Sequence, residues 1–105
     1  MIDTLKKLFS SEPKQNYSAL LKNGAVIVDV RTKGEYASGH IKGSINIPLD
    51  ALRTNLYKLD KKRPVITCCA SGMRSSSARQ ILKSCGYEEV YNGGGWAGLA
   101  ASLEN

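Results

Sequence analysis

The stretch Ala25-Val26-Ile27-Val28-Asp29-Val30 constrains this chain more than any other. It is continuous, apolar and rich in β-branched residues. A strand with one wet face alternates apolar and polar residues. A run without alternation fits a strand buried on both faces, and such strands belong to parallel sheets covered by helices. Val65-Ile66-Thr67-Cys68 is a second run of the same kind.

Helical patterns surround these strands. Tyr17 to Lys22 reads as a helix that stops at Asn23-Gly24. Thr32 and Glu35 have capping-box spacing, so a short helix starts there and ends at Gly39. Ser44-Ile45-Asn46-Ile47 reads as a short strand closed by Pro48, and Asp50 to Leu59 as one helical stretch with Leu52, Leu56 and Leu59 along one side. Asp60 to Pro64 is a charged turn. Ser75 to Cys85 predicts a helix, with Ala78, Ile81, Leu82 and Cys85 spaced i, i+3, i+4, i+7 and Gly86 as its stop. Glu89-Val90-Tyr91 reads as a last short strand. Gly93-Gly94-Gly95 reads as a flexible loop, and Trp96 to Leu103 as a closing helix.

Strands and helices alternate. The expected class is therefore α/β, with a mostly parallel central sheet of four or five strands and helices on both faces. Crossovers should be right-handed. Ligands should bind at the carboxyl ends of the strands. A chain of 105 residues makes one domain. Residues 1–15 read as an N-terminal appendage, a short helix with Ile2, Leu5, Leu8 and Phe9 at near-helical spacing, and residues 16–105 as the domain itself.

No apolar run approaches the roughly 18 residues of a membrane span. The N-terminus lacks a secretory pattern, so the expected location is the cytoplasm. The three cysteines, Cys68, Cys69 and Cys85, are odd in number and two are adjacent. That argues for reduced thiols rather than a disulfide framework. The net charge is +6, but the Lys and Arg are scattered and no aromatics interleave with them. A mildly positive surface that attracts small anions or acidic partners is expected, rather than a nucleic-acid or membrane binder. No large apolar stripe demands a partner, so a monomer is expected.

The segment that carries chemistry is Cys68-Cys69-Ala70-Ser71-Gly72-Met73-Arg74-Ser75. It links a buried strand to an amphipathic helix, at the sheet's carboxyl edge. A helix beginning near Ser75 offers unpaired N–H groups and a positive dipole end. A short loop containing Gly72 can curl its amides inward into an anion-binding nest. Arg74 adds a permanent positive charge. Together these favour thiolate over thiol at Cys69. Cys68 reads as a small buried hydrophobe facing away from its neighbour, and Cys85 as core.

Cys69-Ala70-Ser71-Gly72-Met73-Arg74-Ser75 resembles the active-site loop of rhodanese (thiosulfate sulfurtransferase) domains. Asp29-Val30-Arg31, Glu35-Tyr36 and Gly39-His40-Ile41 are similar to that family's first signature, and Ser44-Ile45-Asn46-Ile47-Pro48 to its continuation. Gly86-Tyr87, Val90-Tyr91 and Gly94-Gly95-Trp96 are similar to its ending. The match runs from about residue 16 to 100 in the family's order. The resemblance implies that Cys69 takes a sulfane sulfur from thiosulfate or a persulfide donor and holds it as a persulfide. The sulfur then passes to a thiol or cyanide-like acceptor, which includes a protein thiol. It implies that the amides of Ala70, Ser71, Gly72, Met73, Arg74 and Ser75 cradle the transferred sulfur, that Asp29 and Arg31 brace the loops, and that no metal or organic cofactor takes part. His40 and Trp96 are expected to be architectural.

Two other readings compete. Cys68 to Arg74 has the Cys-x5-Arg spacing of cysteine phosphatases and arsenate reductases, but no His precedes the cysteine and the loop glycine is out of register. A non-catalytic interaction module on the same fold is the other, and the intact cysteine loop weighs against it.

Overall fold

The computed structural model describes residues 15–103, and the expected appendage falls almost wholly outside them. Four strands form one sheet among the described residues: β1 (Val26–Asp29), β2 (Ile45–Asn46), β3 (Val65–Cys69) and β4 (Val90–Gly95). Their order is β2-β1-β3-β4 and every pairing is parallel. The helices are α1 (Tyr17–Lys22), α2 (Lys33–Ala37), α3 (Met73–Ser84) and α4 (Trp96–Leu103).

The unbroken apolar runs do what their pattern requires. All four residues of β1 and all five of β3 are buried. Successive side chains leave a strand on opposite faces, and each face has its own core. Val26, Val28, Val65 and Cys69 pack with Ala78 and Leu82 of α3 and with Leu52 and Leu59. Ile27, Ile66 and Cys68 pack with Leu99 of α4 and with Leu20 and Leu21 of α1. The adjacent cysteines thus face opposite sides of the sheet.

Three expectations need correction. The stretch Asp50 to Leu59 is not one α-helix. It forms two 3-10 segments, Leu49–Ala51 and Arg53–Lys58, with a non-helical Asn55 inside the second. The spacing of Leu49, Leu52, Leu56 and Leu59 explains this. A 3-10 turn repeats every three residues, and the kink at Asn55 absorbs the one extra residue between Leu52 and Leu56. All four leucines then meet the core on the α3 face. The Tyr87 hydroxyl, which lies within reach of Leu56 O (2.9 Å) and Leu59 O (2.8 Å), ties the segment down.

The second correction concerns Gly93, Gly94 and Gly95, which are strand rather than loop. A Cβ on Gly93 would lie 2.9 Å from the Thr67 carbonyl oxygen and 2.9 Å from Leu99 Cδ2, and one on Gly95 would lie 2.9 Å from the Ala70 oxygen. Glycine here permits β4 to pass close to β3 and α4. The third correction is small and matters for the site. Helix α3 starts at Met73, two residues before the expected Ser75.

The glycines allow a direct check. Gly93→Ala should destabilise the fold by about 1–3 kcal/mol through overpacking. Gly98 lies in α4 with open space around its missing Cβ, so Gly98→Ala should stabilise by roughly 0.5–1 kcal/mol through helix propensity. Urea unfolding of the two variants should move in opposite directions.

Candidate active site

The loop after β3 is built around one sulfur atom. Gly72 adopts φ 102° and is the N-cap residue of α3, with no side chain to cap it. The Cys69 sulfur takes over that role. It accepts from Gly72 N–H at 2.9 Å and from Ser75 N–H at 3.3 Å. Ser75 occupies the third position of the helix, where a capping side chain ordinarily accepts. The sulfur therefore sits at the positive end of α3 with two amides aimed at it.

The Ser75 hydroxyl lies 3.5 Å from the sulfur. It is also 2.6 Å from Asn92 Oδ1 and 3.0 Å from Gly72 O. Gly94 N–H donates to the same Asn92 oxygen at 2.9 Å, which makes Ser75 the donor in its contact with Asn92. While Cys69 is a thiol, its S–H donates to Ser75. Once Cys69 ionises, the single hydroxyl proton is shared between Asn92 Oδ1 and the thiolate. Burial of Cys69 pushes its pKa up, but the Ser75 hydroxyl and the amides of Ser75, Gly72 and Ser71 outweigh that and bring it below the ordinary thiol value.

Cys68 has the opposite fate. Burial, followed by the nearby Asp29 carboxylate, pushes its thiol up to about 12. It stays protonated on the other face of the sheet. Cys85, expected in the core, is only half-buried. The Cys-x5-Arg constellation does not assemble, because Cys68 points away from the loop that carries Arg74.

Arg74 also departs from expectation. It does not point its charge at Cys69. Its guanidinium makes a bidentate pair with Glu35 of α2, at 2.7 and 2.9 Å. Glu35 Oε1 also accepts from Thr32 N–H (2.9 Å) and Thr32 Oγ1 (3.1 Å), and both halves of the expected capping box are present. The Arg74 hydrogen bonds, then the Thr32 backbone, bring the Glu35 carboxyl down to about 2. Ala70, Ser71 and Met73 are exposed, Met73 to 80%.

Asp29 and Arg31 form the brace below the loops. Both are buried, and Arg31 Nη2 donates to Asp29 Oδ2 at 2.7 Å while Nε donates to Oδ1 at 3.0 Å. Arg31 also donates to Glu35 O (3.2 Å) and Gly39 O (2.7 Å), and the Trp96 ring covers its guanidinium at 4.6 Å. His40 is exposed, stacked on Tyr36 at 3.7 Å. A groove of about 390 Å³ runs beside β2, lined by Lys33, Asn46, Asp50 and Lys58 among others, and Cys69 is not part of it. Among the described residues no group of three or more His, Cys, Asp or Glu could hold a metal ion, and no helix is long and apolar enough to cross a membrane.

Residues 12–102 match the family model described as Rhodanese-like domain. The chain belongs to the rhodanese-like family. It is similar to a thiosulfate sulfurtransferase GlpE of Pseudomonas fluorescens (strain SBW25), 36% identical over 84 residues that cover 80% of this chain and 77% of the relative. It is also similar to the thiosulfate sulfurtransferase PspE of Escherichia coli (strain K12), 36% identical over 70% of this chain and 72% of the relative. Among solved structures, a rhodanese with anions from E. coli superposes with a TM-score of 0.66 at 35% identity, over 70% of this chain and 88% of that one. The rhodanese-like fold expected from the loop and its flanking signatures is thereby borne out.

Asn92 is the residue that sequence reasoning missed. It precedes three glycines, which draws attention to the glycines, and its link to Ser75 spans 17 positions. Ser75→Ala removes the hydroxyl that serves the thiolate. The Cys69 pKa should therefore rise, and the pH profile of Cys69 ionisation should move to higher pH. The thiolate absorbance difference between each protein and its Cys69→Ser counterpart reads this directly.

Proposed function

We propose that this chain is a rhodanese-type sulfurtransferase that carries sulfane sulfur on Cys69. The observation that carries the reading is the Cys69 sulfur at the start of α3, accepting from the Gly72 and Ser75 amides with its pKa lowered. A thiolate is the competent nucleophile. The family membership and the relatives named thiosulfate sulfurtransferase support the same reading.

The thiolate attacks the outer sulfur of the donor. One S–S bond forms, the donor's own S–S bond breaks, and the leaving group departs as sulfite from thiosulfate or as a thiolate from a persulfide. In the second half an acceptor thiolate or cyanide attacks the outer sulfur of the Cys69 persulfide and regenerates the Cys69 thiolate. No electrons are gained or lost overall. Covalent storage splits one transfer into two easier ones. The amides of Ala70 to Ser75 cradle the outer sulfur, whose charge they match without reorganising. Asp29 and Arg31 hold the loop's surroundings in place. The working unit is residues 16–105, acting as a monomer in a reducing, cytoplasm-like compartment on a small sulfur-donor anion or persulfide and a small or protein-borne acceptor thiol.

Intact mass after treatment with thiosulfate, and separately with the persulfide of 2-mercaptoethanol, tests this. Wild type and Cys68→Ser should gain one sulfur atom that cyanide removes, and Cys69→Ser should gain none. A wild type that gains no sulfur from either donor would sink the reading.

A further inference from the structure

The one charged side chain of the Cys69 loop is balanced by a residue outside the loop. Arg74 is the sole charged side chain in residues 70–75. Its guanidinium is occupied by both oxygens of Glu35. Glu35 in turn is pinned by Thr32, so it is not a mobile counter-ion. The next arginine, Arg31, is spent on the buried Asp29. The pair Glu35–Arg74 is half-exposed, 37% and 35% by side chain, and so contributes little to stability. Arg74 still feels the sulfur: its pKa is raised first by Glu35, and also by the Cys69 thiolate.

The two donor classes differ at this mouth. Each places its outer sulfur at Cys69. Thiosulfate then leaves a sulfonate group at the entrance, and its charge grows as sulfite departs. A thiol persulfide with an uncharged body brings less charge there. Arg74, if free, would serve the sulfonate. Held by Glu35, it meets that group as half of a neutral pair, with the carboxylate close behind.

We infer that Glu35 is a specificity-setting positioning residue, which by holding Arg74 biases Cys69 toward thiol persulfides over dianionic donors such as thiosulfate. This rests on the Cys69 sulfurtransferase reading. It concerns the relative rates of two donors, not the existence of transfer.

The test is the rate at which Cys69 gains sulfur, followed by quenched intact mass at varied donor concentration. The donors are thiosulfate and the persulfide of 2-mercaptoethanol. Glu35→Gln keeps a capping-box residue at this position and removes its charge. The thiosulfate-to-persulfide rate ratio should rise about three- to tenfold, the scale of one freed charge near water. The change should fall on the half-saturating thiosulfate concentration and shrink at high salt. Arg74→Gln leaves Glu35 alone at the mouth and should lower the ratio below wild type. The double variant should return it close to wild type. A purely structural role predicts no such reversal. If Cys69 of the wild type loads from both donors but the ratio is unmoved or lower in Glu35→Gln, the inference is overturned. Should Glu35→Gln fail to fold, an Arg74→Gln ratio equal to or above wild type overturns it. If Cys69 loads from neither donor, the sulfurtransferase reading itself fails.

Discussion

The buried ion pair between Asp29 and Arg31 underlies the geometry of the whole carboxyl edge. Asp29 ends β1 and is fully buried, and Arg31 is 4% exposed. Removing one partner of such a pair strands a buried charge, typically at a cost of about 3–5 kcal/mol. Arg31 spends its remaining donors on the carbonyls of Glu35 and Gly39. It therefore holds the middle of α2 and the chain just past its C-terminal end. That places the Glu35 carboxylate where it meets Arg74, and it places Gly39 under the Trp96 ring. The Asp29 oxygens also lie close enough to Cys68 to raise its pKa.

Two adjacent cysteines illustrate how a strand assigns chemistry. They share composition, backbone and solvent exposure. Pleating turns Cys68 into an apolar face beside a carboxylate and turns Cys69 toward α3. One remains a thiol pushed up to about 12, and the other meets amides that favour its anion. The β3–β4 register shift between Thr67 and Cys69 brings Cys69 beside Gly95. A glycine is needed there because the loop carbonyl of Ala70 comes so close.

Among the described residues no side-chain base bonds to the sulfur. His40 is exposed and stacked on Tyr36. The groups that favour the Cys69 anion are backbone amides and one hydroxyl, Ser75, whose proton is shared with Asn92. Amides have the advantage of being fixed by the helix itself, so they need no separate positioning. In a domain this small the start of one helix supplies most of the polar groups around the sulfur.

The local signals in the sequence were sufficient for most of the elements and for singling out Cys69 as the candidate nucleophile. Continuous β-branched runs meant parallel buried strands. The Thr32–Glu35 spacing meant a capping box, and a cysteine between a buried strand and an amphipathic helix marked a candidate nucleophile. These properties depend on residues within a turn or a strand of one another. The partners of Arg74 and of Ser75 did not emerge, because Glu35 lies 39 positions from Arg74 and Asn92 lies 17 from Ser75. The glycines of β4 read as flexible because their neighbours, Thr67, Ala70 and Leu99, are brought close only by folding. The sequence by itself singled out which sulfur sits at a helix start beyond a buried strand. Tertiary packing decided which charges face it, because electrostatic pairing depends on distance through space, and that distance is set by the sheet order and by how α2 is held against the loop.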